Sequence, residues 1–494
     1  MNTPLLRPPS FAPIAALPVV VFALLSLAPQ PLRGQIAGKD PLPPDSTWTL
    51  AAVGDSIITR QVQHFESDPA FMALVKQIRG ADAAATNLEI NLFRLRDFKG
   101  YPQVENGGAY ELGPPEAAAD LKWMGFDLFN YANNHTGDFG MEGMVETMKL
   151  LESHNLVYGG AGMTAGEAAQ ARYFDTPRGR FAFIGMATSF TPASRAGDPR
   201  PEIKGRPGLN ALRIERSRQL APEQMAELRK FVKTVGAGGG SGREGAGAGK
   251  GGDAENRPIR FESTLFVPGP ENKEIYTVNA IDEERILRAI RNAARQADHV
   301  VVFSHSHDLA GASEEAPAPA HLREFIKKAL DAGADTFLSS GPHILRGIEI
   351  YQGKPIFYSL GDFFMQNETI EPVPTDMFES VGLGPTALAN DFYNARSKPD
   401  PATGFPTAYH PANPAVWESV VAVSEFKGRA VTAIKFYPVD LGFRVPRPHQ
   451  GTPRLAEPEL GRKILERLAK MSDIYGTKIS LENGIGVWRA PGAN

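Results

Sequence analysis

The sequence predicts an α/β protein whose chemistry sits at the ends of its strands. From Trp48 onward, short β-branched or apolar runs alternate with stretches of helical period, the pattern of strands crossed over by helices. Polar clusters follow several of these apolar runs directly, at the strand ends where open α/β sheets place ligands. The chain has 494 residues of ordinary composition, 42% hydrophobic and 22% charged, which is enough for a large core.

Strands are expected at 48–53, 83–88, 128–132, 181–187, 299–304, 336–339 and 356–359. Helices fall between several of them. Met144, Val145, Met148 and Leu151 share a face of 142–154, and Ile286, Leu287 and Ile290 share one of 283–297. In 321–332 the stripe is Leu322, Phe325, Ile326, Ala329 and Leu330, with Gly333 as the stop. The stretch 236–253, nearly all Gly, Ala and Ser, reads as a flexible insertion between a helix ending near Val235 and a strand at 260–266. Segment 366–414 is rich in Pro and Asn without a period, and reads as a long loop at the edge of the site. Beyond it, 419–426 and 430–438 read as a β-hairpin turning through Lys427-Gly428-Arg429. The polar clusters span Asp55 to His343, so one domain is expected over 46–445, followed by a C-terminal extension over 446–494.

The start of the chain is a targeting signal. Arg7 precedes an apolar run over 11–28 and then a polar stretch, so 1–37 reads as a secretory signal peptide, or as a single-span anchor if it is not cleaved. Either way the folded part is expected outside the cytoplasm, periplasmic or extracellular. There are no cysteines, which excludes disulfides, thiolate metal sites and a cysteine nucleophile. A net charge of −4 supplies no electrostatic reason for a nucleic-acid partner.

The strand-end clusters are Gly54-Asp55, Asn87-Leu88-Glu89, Asn133-Asn134-His135, His305-Ser306-His307 and Gly341-Pro342-His343. Each has an ordinary reading: a Gly-Asp turn, a surface acid, a hydrogen-bonded structural histidine. Together they weigh more, because the chain has only 10 histidines and His135, His305, His307 and His343 all fall in these turns. The other histidines read as surface or loop residues without a role. Carboxylate, amide and imidazole form a borderline-hard ligand set that suits Zn²⁺, Mn²⁺ or Fe better than Ca²⁺.

These motifs stand in order with Asn133-Asn134-His135-Thr136-Gly137-Asp138-Phe139-Gly140 and Tyr358-Ser359-Leu360-Gly361-Asp362-Phe363. The whole set resembles the CapA family, named for poly-γ-glutamate capsule synthesis and related to calcineurin-type metallophosphoesterases. Residues 205–210 also resemble the longer members. The resemblance implies a four-layer αββα sandwich, metallophosphoesterase-like, with one or two divalent ions. It implies Asp55, Glu89, Asn134, His305, His307 and His343 as metal ligands and His135 as the proton donor to a leaving group. Asp138 is then the partner that orients His135, or else an N-cap on the next helix. The chain departs from the family pattern in having Ser339-Ser340 where many members carry a histidine and Asp362 in place of the usual Asn, and like the family in general it lacks the histidine that calcineurin-type phosphatases carry at the position of Ile57. The two missing imidazoles point to a weakened second metal position. The expected activity is hydrolysis of a cell-envelope polymer or a small phosphoester, in company with polyglutamate synthesis proteins. The alternative is a non-catalytic component of polymer synthesis or export.

Overall fold

The computed structural model describes residues 46–103, 109–235, 257–309 and 316–492. The leader and the Gly-rich stretch 236–253 lie outside these residues. Along the first strand, Thr47–Ile57, side chains alternate between two buried faces: Leu50 and Ala52 join one core, Ala51 and Val53 the other. A strand buried on both sides lies between two covering layers.

On one side the layer is helical. Pro69–Arg79, Glu116–Met124 and Gly140–Ser153 contribute Phe71, Leu74, Leu121, Met148 and Leu151 to that core. On the other side lies a second sheet, whose Phe181, Phe183, Val301, Phe303 and Leu338 meet the first strand's Leu50 and Ala52. The strand His299–His305 repeats the alternation. Its Val300 and Val302 face the opposite way, against Ile286, Ile290, Leu322 and Phe325 of the helices Ala280–Ala293 and Ala320–Asp331. The order helix, sheet, sheet, helix is the αββα sandwich expected from the motifs.

In the larger sheet, Thr47–Ile57 pairs in parallel with Ala83–Asn87, which continues in parallel to Leu128–Asn130 and Val157–Gly159. In the smaller, His299–His305 lies parallel to Gly179–Ala187 and to Thr336–Ser340. Parallel strands finish at one edge, so Asp55, Asn87, Asn130, His305 and Ser340 all arrive at the same rim. The expected hairpin is present as Glu418–Lys427 paired antiparallel with Ala430–Asp440, and it flanks the first strand. Residues after 446 do not stand apart: Ile485–Arg489 pairs with Ala430–Asp440, and the helix Pro458–Asp473 buries Ile464, Leu465 and Leu468 between the layers.

Three local expectations need correction. The strand at 260–266 is two strands, Ile259–Phe261 and Thr264–Pro268, turning through Glu262 at φ 52. The segment 366–414 is not all loop: it holds the helices Thr375–Ser380 and Ala389–Ser397, the second burying Phe392 and Tyr393. Two helices that were not expected, Pro69–Arg79 and Glu116–Met124, carried readable signals. Asp68 caps the first by accepting from the N–H of Ala70 and Phe71, and Gly125 at φ 98 ends the second. Among the described residues no helix is long and apolar enough to cross a membrane.

Trp48 joins the two sheets. Its ring stacks on Phe426 at 3.8 Å and on His299 at 3.9 Å, and its Nε1–H donates to the Gly428 carbonyl at 2.7 Å. Trp48→Ala is therefore expected to cost about 3–5 kcal/mol, read as a lower urea midpoint at unchanged slope. A midpoint within error of the parent would show that the stack does not bear on stability.

Candidate metal centre

Gly54 sets the position of the first carboxylate. The end of the first strand runs parallel to Asp362–Met365, with Asp55 opposite Asp362, and the Asp55 N–H donates to the Gly361 carbonyl at 2.9 Å. A Cβ on Gly54 would lie 1.7 Å from that carbonyl oxygen, so only glycine permits the approach. Two carboxylates thus come side by side on adjacent strands.

Asp55 is then held from every direction. Asn87 Nδ2 donates to its Oδ1 at 2.6 Å and the Gly341 N–H to its Oδ2 at 2.9 Å. His305 Nδ1 lies 3.4 Å from Oδ1 and His343 Nδ1 3.8 Å from Oδ2. Burial works to raise the Asp55 pKa, but the two imidazoles outweigh it and hold the carboxyl down to about 2. Asn87 is itself oriented by Asn130 Nδ2, which donates to Asn87 Oδ1 at 2.8 Å.

Six residues form two adjacent donor sets. Glu89, His305 and His307 make one and Asp55, His343 and Asp362 the other, each with one donor atom per residue within 4.8 Å of the rest. Glu89 Oε1 lies 3.3 Å from His305 Nε2, and His343 Nδ1 lies 2.8 Å from Asp362 Oδ1. Asn134 Oδ1 sits 3.4 Å from His307 Nε2, beside the first set. Both Glu89 oxygens, Asp362 Oδ2 and His305 Nε2 are buried without a hydrogen-bond partner. Burial, then the charges of Asp55, Asp362 and Glu111, push Glu89 far above the usual carboxylate range. An excess of buried carboxyl oxygens that accept no hydrogen bond fits divalent cations, which favour the ionised form.

All six residues the resemblance implied as ligands converge here. Asp362 was missed. It was read only as a departure from the usual asparagine, yet it brings a carboxylate to His343 and Asp55, where an asparagine would bring a neutral amide. Ser340 closes its strand opposite His305.

The turn that follows Leu128–Asn130 carries the histidine–aspartate pair. Asn133 Oδ1 accepts from the His135 N–H at 3.1 Å, and the Thr136 hydroxyl accepts from the Asn133 N–H at 3.0 Å, which closes the turn as a capping box. His135 Nδ1 meets Asp138 Oδ2 at 2.8 Å, and the same oxygen accepts from the Glu111 N–H at 2.8 Å. The helix Gly140–Ser153 starts after Phe139 with no side-chain cap, so Asp138 partners the imidazole rather than the helix.

A cavity of about 220 Å³ opens beside this pair, lined by Glu111, Asn134, His135, His307, His343, Asn367 and His410 among others. His410 was given no role, yet its ring lies 5.3 Å from that of His343. Burial, then the neighbouring His343, pulls it down to about 3. Tyr409 stacks on it at 4.5 Å from a left-handed backbone at φ 64, a strained conformation for a bulky residue. Burial pushes Glu111 up to about 7 against the pull of His135. Nothing in the local sequence of 409–410 or at Glu111 marks these residues as part of a site.

Comparison with known proteins finds relatives over most of the chain. The family model described as bacterial capsule synthesis protein PGA_cap matches residues 49–367. The proteins y4sH and y4uA of Sinorhizobium fredii (strain NBRC 101917 / NGR234) are each 38% identical over 448 residues, 90% of this chain and 93% of theirs. The PGA biosynthesis protein CapA of Bacillus subtilis (strain 168) is 26% identical over 324 residues, 65% of this chain and 63% of its own.

His343 makes the metal-free centre sensitive to pH. Burial lowers its pKa, but Asp362 and Asp55 outweigh that and raise it from 6.5 to about 9. A raised folded-state value means that its stabilising contribution is whole below 6.5 and is lost as pH rises through about 9. Unfolding midpoints of the metal-free parent and of His343→Ala should therefore converge as pH rises through that window. A gap that stays constant across it would refute the coupling.

Proposed function

The chain belongs to the bacterial capsule synthesis PGA_cap family, and on that footing we propose that it is an exported, metal-dependent hydrolase acting on a cell-envelope polymer or a phosphoester. The observation that carries this reading is the pair of donor sets beside one histidine–aspartate pair, with Glu89 Oε1 and Oε2 and Asp362 Oδ2 buried and accepting no hydrogen bond. Asp55, Asp362 and His343 would hold one ion, and Glu89, His305 and His307 the other, with Asn134 at its edge. Their mixture of carboxylate, amide and imidazole favours Zn²⁺, Mn²⁺ or Fe. Such ions, when bound, supply Lewis acidity and make water a better nucleophile near neutral pH.

The chain's own residues supply the rest. Asp138 accepts from Nδ1–H of His135, which leaves Nε2 as the nitrogen that exchanges a proton with the substrate. Asn91 Nδ2 donates to the His135 carbonyl at 2.8 Å and holds the turn in place. The Bacillus relative is named for PGA biosynthesis. That name supports an anionic envelope polymer as substrate and polyglutamate synthesis proteins as partners, and the leader over 1–37 supports export.

Two measurements test the reading. Elemental analysis of Asp55→Ala and Asp362→Ala should show less bound metal than the parent, and full metal in both would remove the proposed centre. With Mn²⁺ or Zn²⁺ supplied, turnover of an aryl phosphate or of γ-glutamyl polymer should fall about 10²–10⁴-fold in His135→Ala at unchanged metal content. No turnover of either substrate by the parent would sink the hydrolase.

A further inference from the structure

Two residues of the cavity lining outside the donor sets have a chemistry of their own. Glu111 is 1% exposed and Asn367 is 5% exposed, and both line the cavity together with His135 and His343. Glu111 Oε2 and Asn367 Oδ1 are both buried without a hydrogen-bond partner. Glu111 belongs to neither donor set, so the proposed ions do not account for it. Asp138, by contrast, is engaged by His135. Arg396 is paired with Glu368 at 2.5 Å and stacks over Tyr409, and from there its charge acts on Glu111 without a hydrogen bond to Glu111 Oε2.

Two buried acceptors, one of them a carboxyl, call for a ligand that brings N–H donors and positive charge. We propose that Glu111 and Asn367 form a subsite for a primary ammonium of the substrate, next to the bond that is cleaved. An ammonium brings three N–H donors and a hydroxyl one, whereas a phosphate or carboxylate brings chiefly acceptors to a place where two acceptors already wait. The proposal rests on the hydrolase reading above and narrows it. In an amide-linked polymer of amino acids only the residue at the amino end carries a free ammonium at its backbone nitrogen. A cavity of about 220 Å³ is also smaller than the roughly 300 Å³ at which drug-sized pockets begin, so it admits one residue rather than a chain in passage. The enzyme therefore works from the amino end of its polymer.

The test uses two short γ-glutamyl oligomers that differ only in a free or an acetylated amino end. Calorimetric binding to the metal-loaded full chain should favour the free amine by about tenfold or more. In Glu111→Gln the preference should collapse to within about twofold at unchanged metal content, and in Asn367→Ala it should shrink in the same direction. Equal binding of the two oligomers by the parent, an undiminished preference in Glu111→Gln, or loss of metal from that variant would each overturn the subsite. If the preference is present but neither oligomer is turned over, the hydrolase reading fails and the subsite stands. If both are turned over without preference, the reverse holds.

Discussion

Asp55 is the residue at which the two sheets meet. Its Oδ1 accepts from Asn87, on the neighbouring strand of the larger sheet, and its Oδ2 accepts from the Gly341 N–H at the rim of the smaller. These contacts require backbones to come closer than side chains allow. A Cβ on Gly54 would meet the Gly361 carbonyl, and one on Gly341, at φ +119, would lie 2.8 Å from the Ser306 backbone. Where the chain omits two side chains, its strand ends converge and the remaining donors follow: Asp362 by register with Asp55, His343 by the turn after Gly341, His305 by register with Ser340.

The convergence carries a cost in charge. Asp55, Glu89, Glu111, Asp138 and Asp362 are all essentially buried, and several of them raise one another. Burial, opposed by His343, still pushes Asp362 up to about 6. A fold optimised for stability alone would not gather these groups, because a buried carboxylate without a partner is worse than an apolar side chain of its size. Natural chains break this rule at working sites and offset the loss elsewhere. Here the offset lies in apolar layers on both faces of each sheet and in the Trp48 stack between Phe426 and His299.

Much of this was legible because strands announce their own ends. The alternation along 48–53 and the apolar runs before Asn87, Asn133, His305 and Gly341 place the following polar residue at a known edge, so Asp55, Glu89, His305 and His343 could be grouped without coordinates. Asp362 was misjudged for a different reason. Its value depends on the register that sets it opposite Asp55, and register between distant strands is a tertiary property. Glu111 and His410 lie in segments with no period, and only packing brings them to the cavity. The helix Ala389–Ser397 was overlooked because its apolar face is short and Pro-rich sequence precedes it.

The two halves of the cavity therefore have different origins. The half that would hold metal comes from strand ends, the rigid part of the scaffold, and falls within residues 49–367, which match the family. The rest of the lining comes from Glu111 and Asn367, within the matched stretch, and from the Tyr409–His410 turn beyond it, all carried by irregular segments. Loops on a rigid scaffold are where recognition diverges at least structural cost, because changing them leaves the core untouched. The strain at Tyr409 and the pairing of Arg396 with Glu368 indicate that this part of the lining is held in one conformation rather than left to adapt. Candidate ligands on the strand ends and the proposed recognition on the irregular segments is the division of labour that the geometry of this centre implies.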